Sequence, residues 1–192
     1  MKQLYLWLSL TLLLPTTLLG QYDYEANGIH PYGRPNPEAP SQILDFDAMI
    51  GECDCQSTRR KPDGTWGKPE PMLWRFKYIM NGMAIQDETL KPNGAHTGNI
   101  RQFIADSSKW YVHYYSNSRP STTFPVWEGG KKEKEIVLYR DQKAPNGAEG
   151  YYKIRFYDMS KRGYKWSGAW VSADESIVFD NWNIVCVRPE EK

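Results

Sequence analysis

The sequence predicts an all-β fold: an antiparallel up-and-down closed β-barrel of about ten strands, preceded by a short N-terminal helix. Three observations predict it. Nine of the thirteen leucines lie in the first twenty residues, leaving Leu44, Leu73, Leu90 and Leu138 for the rest of the 192-residue chain, too few for a helical bundle. What remains is rich in Tyr, Trp, Thr, Ile and Val, residues that suit a pleated, half-buried surface. Turn signals separate runs of five to ten such residues, and no helical stretch interrupts them as a parallel βαβ unit would require.

In chain order, Lys2, an apolar stretch from Leu4 to Leu14 and the Leu18-Leu19-Gly20 end have the layout of a secretory signal peptide over residues 1–20, cleaved after Gly20. The apolar stretch is broken by Ser9, Thr11 and Pro15 and is shorter than the roughly 20 residues of a spanning helix, so no membrane insertion is expected after cleavage. The expected location is secreted or periplasmic. Residues 21–40 carry Pro31, Pro35, Pro37 and Pro40 and read as a Pro-rich flexible arm. Residues 41–192 form the barrel domain. It opens on a helix capped by Ser41, with Ile43, Leu44, Phe46, Met49 and Ile50 at helical spacing and Gly51 as the left-handed residue that ends it. Ten strands follow, near 52–60, 71–80, 83–91, 96–104, 109–116, 123–128, 134–142, 149–158, 163–171 and 176–188.

Hairpin chemistry predicts part of the register. A turn at Asn81-Gly82 sets Phe76 opposite Asp87 and Arg75 opposite Glu88, which places the face of Trp74, Phe76, Tyr78 and Met80 inward. A three-residue loop at Pro92-Asn93-Gly94 then sets Asn99 opposite Asp87 and Arg101 opposite Ile85. Asp87, Asn99 and Arg101 thus form a polar cluster among inward aromatics. Such a cluster is either a buried structural ion pair or a fork that orients the polar head of a ligand. Tyr114, Arg140 and Trp166 join these three as candidate ligand-binding residues. Tyr164, Trp166, Gly168 and Trp170 share a face, with Gly168 opening a gap between two indoles.

Cys53 and Cys55 alternate on one face of the first strand and Cys186 lies on the last. Closure makes those strands neighbours, so Cys186 is expected to bridge to one of the pair in an oxidising compartment, leaving one free thiol. Cys-x-Cys on a strand is a weak zinc pattern, and no metal or cofactor is indicated.

Composition excludes other classes: 24 Lys and Arg against 23 Asp and Glu give no electrostatic footprint for nucleic acid, and 14% aromatic residues exclude disorder. There is no Gly-x-Ser-x-Gly elbow, phosphate-binding glycine loop or His-Glu-x-x-His.

The order of features, a short helix leading through Ile50-Gly51-Glu52-Cys53 into a meander of antiparallel strands, resembles the calycin-like barrels, the lipocalin and fatty-acid-binding-protein group. It looks closest to secreted bacterial barrels of that shape to which no activity is assigned. Ile50-Gly51-Glu52 resembles the Gly-x-Trp opening of such barrels, with Cys53 where the tryptophan would stand. The resemblance implies an internal cavity for a small apolar or amphipathic molecule and carries over no catalytic residue. The expected protein is therefore a monomeric binding protein. An enzyme using Asp87 or His113 as acid or base is the alternative, and an envelope interaction module displaying Tyr111 and Tyr115 is a third reading.

Overall fold

The computed structural model describes residues 22–189, so the signal peptide expected over residues 1–20 lies outside the described residues. Ten antiparallel strands close into a barrel: β1 (Gly51–Arg59), β2 (Glu70–Ile79), β3 (Ala84–Leu90), β4 (His96–Ile104), β5 (Lys109–Ser116), β6 (Val126–Lys132), β7 (Glu135–Asp141), β8 (Gly150–Ser160), β9 (Gly163–Ser172) and β10 (Val178–Val187). Each strand pairs with its chain neighbours, and β1 pairs with β10 to complete the cylinder.

Both register expectations hold. Phe76 pairs with Asp87 and Arg75 with Glu88, and Asp87 and Ile85 pair with Asn99 and Arg101. The β2 burial alternates as period-two patterning requires, with Met72, Trp74, Phe76 and Tyr78 inside. Met80 departs from the series: it lies in the turn at a φ of 54° and is exposed. At the seam, Cys55 faces Cys186 and the two are disulfide-bonded, which leaves Cys53 buried and free.

The helix differs in kind from the expectation. Residues Ser41–Met49 form a 3-10 helix whose buried residues are Ile43, Phe46 and Met49, while Leu44 is exposed. Three residues per turn put positions three apart on one face, and Leu44 falls off it. Pro40 occupies the cap position with no side-chain cap bond, so Ser41 does not cap. Gly51 does not terminate the helix; it begins β1 at a φ of 113°, where an added Cβ would lie 2.5 Å from the Arg188 guanidinium. Arg188 crosses there to donate to the carbonyls of Ala48 and Ile50 at 2.8 and 2.6 Å. The helix plugs one end of the barrel: Phe46 meets Trp110 edge-on at 4.9 Å and Phe156 at 5.9 Å, and Asp45 accepts from Trp110 Nε1 at 3.0 Å.

The sixth strand is displaced from its expected position at 123–128. Gly129 and Gly130 look like turn residues, yet they pair with Leu138 and Val137 inside the ladder. Gly129 is required there because a Cβ would lie 2.2 Å from the Val137 carbonyl oxygen. The turn instead uses Glu133 at a φ of 56°, and residues 117–125 become a loop at the end of the barrel away from the helix.

The segment read as a flexible arm is docked along residues 22–40. Strand β1 pairs with β2 only as far as Gly51 and Phe76, so the Tyr78 N–H would be left without a strand partner; the Tyr32 carbonyl accepts it at 2.8 Å. The β2–β3 turn holds Met80, Asn81 and Gly82 at positive φ, and the arm satisfies its groups: Asn81 N donates to Glu25 at 2.5 Å and Asn36 N donates to the Gly82 carbonyl at 3.1 Å. Chymotrypsin is therefore expected to spare Tyr24 and Tyr32 in the native protein. Asn81→Gly, which removes the side chain accepting from Tyr24 N, should expose them; rapid cutting of the unaltered protein at either tyrosine would contradict the docking.

Candidate functional site

The cluster of Asp87, Asn99 and Arg101 forms as the register requires, but as a closed structural unit. Asp87 accepts from Trp74 Nε1 at 2.7 Å, from Asn99 Nδ2 at 3.0 and 3.1 Å, and from Arg101 Nη2. Asp87 is 0% exposed and Arg101 1%. The guanidinium lies among the rings of Phe46, Phe76 and Phe156, with centroids 5.0 to 5.3 Å away, so π faces cover the cation where its Nε and Nη1 find no acceptor. Trp74, in turn, packs within 5.5 to 6.4 Å of Phe76, Phe156, Tyr164 and Trp166. These rings fill the barrel's cross-section, and a ligand reaching the triad would have to displace them.

Trp166 belongs to this packing, 4.8 Å from Trp182. The gap beside Gly168 is occupied: a Cβ there would lie 2.3 Å from the Tyr152 hydroxyl. Trp170 turns to the strand end and donates to the Gln142 carbonyl at 2.8 Å.

Space for a ligand opens at the end of the barrel opposite the helix. There a cleft of about 670 Å³, within the usual range of small-molecule sites, lies between the ends of β5, β6 and β7 and the 117–125 loop. Two expected residues, Tyr114 and Arg140, line it, together with Trp127, Phe124, Arg119 and His96. Tyr114 meets Trp127 at 6.2 Å, nearly perpendicular, and the Arg140 guanidinium stacks over the Trp127 indole at 4.4 Å while donating to Gln142 at 2.6 Å. Trp127 continues to Tyr152 at 6.5 Å, whose hydroxyl donates to Asn181 at 2.9 Å. Burial pushes the Tyr152 hydroxyl up to about 12, an effect that the nearby Arg59 and Arg140 cations oppose. Burial likewise holds Arg140 below the ordinary arginine value, yet it remains a cation at any physiological pH.

Trp127, Phe124, Arg119 and His96 were not singled out as site residues from sequence. Trp127 had a signal: with the β6–β7 turn at Glu133-Lys134, the ladder that pairs Lys132 with Glu135 runs on to set Trp127 beside Arg140. Reading the glycine pair as a turn concealed it. The 117–125 loop carried no such signal, because its Ser, Pro and Thr residues mark only a loop.

The other candidates lie elsewhere. His113 sits between Ile100 and Val126 in the ladder on the barrel's outer face, and Asp87 is sealed inside, so neither lines the cleft. Tyr111 and Tyr115 are half-buried; Tyr115 accepts from Gln86 at 2.6 Å and packs 6.5 Å from Phe124. Among the described residues no three His, Cys, Asp or Glu side chains converge as metal ligands do.

Fold and site together define a closed ten-stranded antiparallel β-barrel with a filled interior and an aromatic cleft at one mouth. No protein-family model and no curated protein matches the chain. Among solved structures it is similar to the crystal structure of Rv2717c from M. tuberculosis, with 11% sequence identity and a TM-score of 0.47 over 80% of this chain and 100% of that one.

Proposed function

We propose that this protein binds a small apolar or amphipathic molecule at the mouth of its barrel, in an oxidising compartment outside the cytoplasm. The observation that carries this reading is the cleft itself: Tyr114, Trp127 and Phe124 offer aromatic faces around a space of ligand size. Phe124 is about half exposed, a large apolar ring facing water without a partner large enough to cover it. The site stands beside the packed core, so a ligand docks on a preformed platform and the barrel need not open. The disulfide supports the compartment, since such bonds persist where the surroundings are oxidising. The sequence resemblance to calycin-like barrels supports a carrier role; the site argued here lies at the rim and not in a central cavity.

The test is a fluorescence titration with N-phenylnaphthylamine, an uncharged bicyclic probe. Saturable binding is expected, weakened about fivefold by Phe124→Ala because part of a phenyl ring's apolar contact is lost. Absence of saturable binding, or binding indifferent to Phe124→Ala, would overturn the reading.

A further inference from the structure

Resting on that reading, we infer that the molecule bound at the mouth is an organic anion whose acidic head is held by Arg140 and Trp127 while its apolar body lies on the aromatic wall.

The first ground is charge. The residues lining the cleft include Arg119, Arg140 and His96 and no Asp or Glu. His96 has its own counter-charge in Glu88, at 3.1 Å, so the uncompensated charge belongs to the two arginines. The chain as a whole carries nearly equal numbers of both signs, 24 basic and 23 acidic residues, so a cleft of this size with cations and no carboxylate is a local choice.

The second ground is how this barrel treats its other strand arginines. Arg75 pairs with Glu52, Arg155 donates two bonds to Glu135 at 2.9 and 2.6 Å, and the buried Arg101 pairs with Asp87. Arg140 is as deep in its ladder as these and stands against Tyr152 and Trp127, two aromatic residues. Its one acceptor among the described residues is the neutral Gln142 side chain. A partly desolvated guanidinium without a carboxylate is an unfavourable arrangement that an anionic ligand relieves. Stacking on the indole fixes the plane of the guanidinium and so directs its free N–H edge.

The third ground is independent of charge. Trp127 Nε1 is buried and donates to nothing among the described residues, although the indoles of Trp74, Trp110, Trp170 and Trp182 all have acceptors. Buried donors are normally satisfied, and this one belongs to a cleft-lining ring under the Arg140 guanidinium. An indole N–H and a guanidinium fork on one side of a cleft together match a carboxylate or sulfonate, which offers several acceptor lone pairs at once.

The experiment compares two probes on the full mature chain: anilinonaphthalene sulfonate and N-phenylnaphthylamine, the same rings without the sulfonate. The anion is expected to bind at least about tenfold more tightly, as charge-assisted hydrogen bonds warrant. Arg140→Gln should reduce that preference to about threefold or less, and Trp127→Phe, which keeps a ring and deletes the donor, should cut it severalfold. Unchanged N-phenylnaphthylamine binding shows that each variant is folded with its cleft intact. Equal affinity for the two probes would overturn the inference and leave the binding function standing. A preference for the anion that survives both substitutions would place the anion elsewhere and also overturn it. Saturable binding of neither probe would defeat the binding function, and this inference with it.

Discussion

Replacing Cys55 and Cys186 together by alanine is expected to lower folding stability by about 4 to 5 kcal/mol, the largest single effect foreseen for this protein. The bridge spans 131 residues of sequence, and restricting so long a loop removes more entropy from the unfolded chain than a short one would. It also sits on the seam where the first and last strands meet, the pairing with the greatest separation along the chain. The native contacts beside it survive the substitution, since the β1–β10 ladder runs from Asp54 and Val187 to Arg59 and Trp182. The loss should therefore appear as a lower urea midpoint with the barrel still formed, read by circular dichroism and denaturant titration of oxidised and substituted protein. A change under about 1 kcal/mol would sink the argument that the bridge constrains the unfolded chain. In the unaltered protein, thiol titration should find one group, Cys53, reactive only after unfolding, because burial raises its pKa and shields it.

Arg101→Met is expected to cost about 3 to 5 kcal/mol, since it strands the carboxylate of Asp87 in the barrel interior. Methionine is close to the arginine stem in length and keeps contact with Phe46, Phe76 and Phe156, so the loss reports the charge and not a cavity. Trp74 and Asn99 would still donate to Asp87, but two neutral donors do not replace a cation. The double variant Asp87→Asn/Arg101→Met removes both charges and retains an acceptor for Trp74 Nε1, and it should recover most of the loss, to within about 2 kcal/mol of the unaltered protein. Binding of N-phenylnaphthylamine should be unchanged in the double variant, because the triad and the cleft are separate places. Loss of probe binding at unaltered stability would instead make the triad the site.

Three strands and their register were legible because their turns have unambiguous chemistry. Asn81-Gly82 and Pro92-Asn93-Gly94 determine the parity of β2, β3 and β4, and parity alone brings Asp87, Asn99 and Arg101 to one inner face. The same logic failed one hairpin later for a physical reason. Gly129-Gly130 carries the composition of a turn, yet its role is close approach between strands, where a Cβ would strike the Val137 carbonyl. Local composition reports that a glycine is needed and not why. The helix shows a related limit: Ile43, Phe46 and Met49 fit a period of three and, with Leu44 and Ile50, also a period near 3.6.

What the sequence by itself determined is the barrel, the inward polar triad and a cysteine bridge between first and last strands, since these follow from side-chain alternation, turn chemistry and the closure of a meander. Which cysteine bridges, how the arm docks and where a ligand has room were decided only by the tertiary structure. Each depends on groups far apart in sequence: Cys55 faces Cys186 through the closing register, Tyr32 reaches Tyr78 where β1 gives out, and Trp127 meets Arg140 beneath a loop. Whether a polar cluster is a site or a strut is a matter of the volume left around it. In this protein Phe46, Phe76, Phe156 and Trp74 take that volume at the triad and leave it open at the mouth.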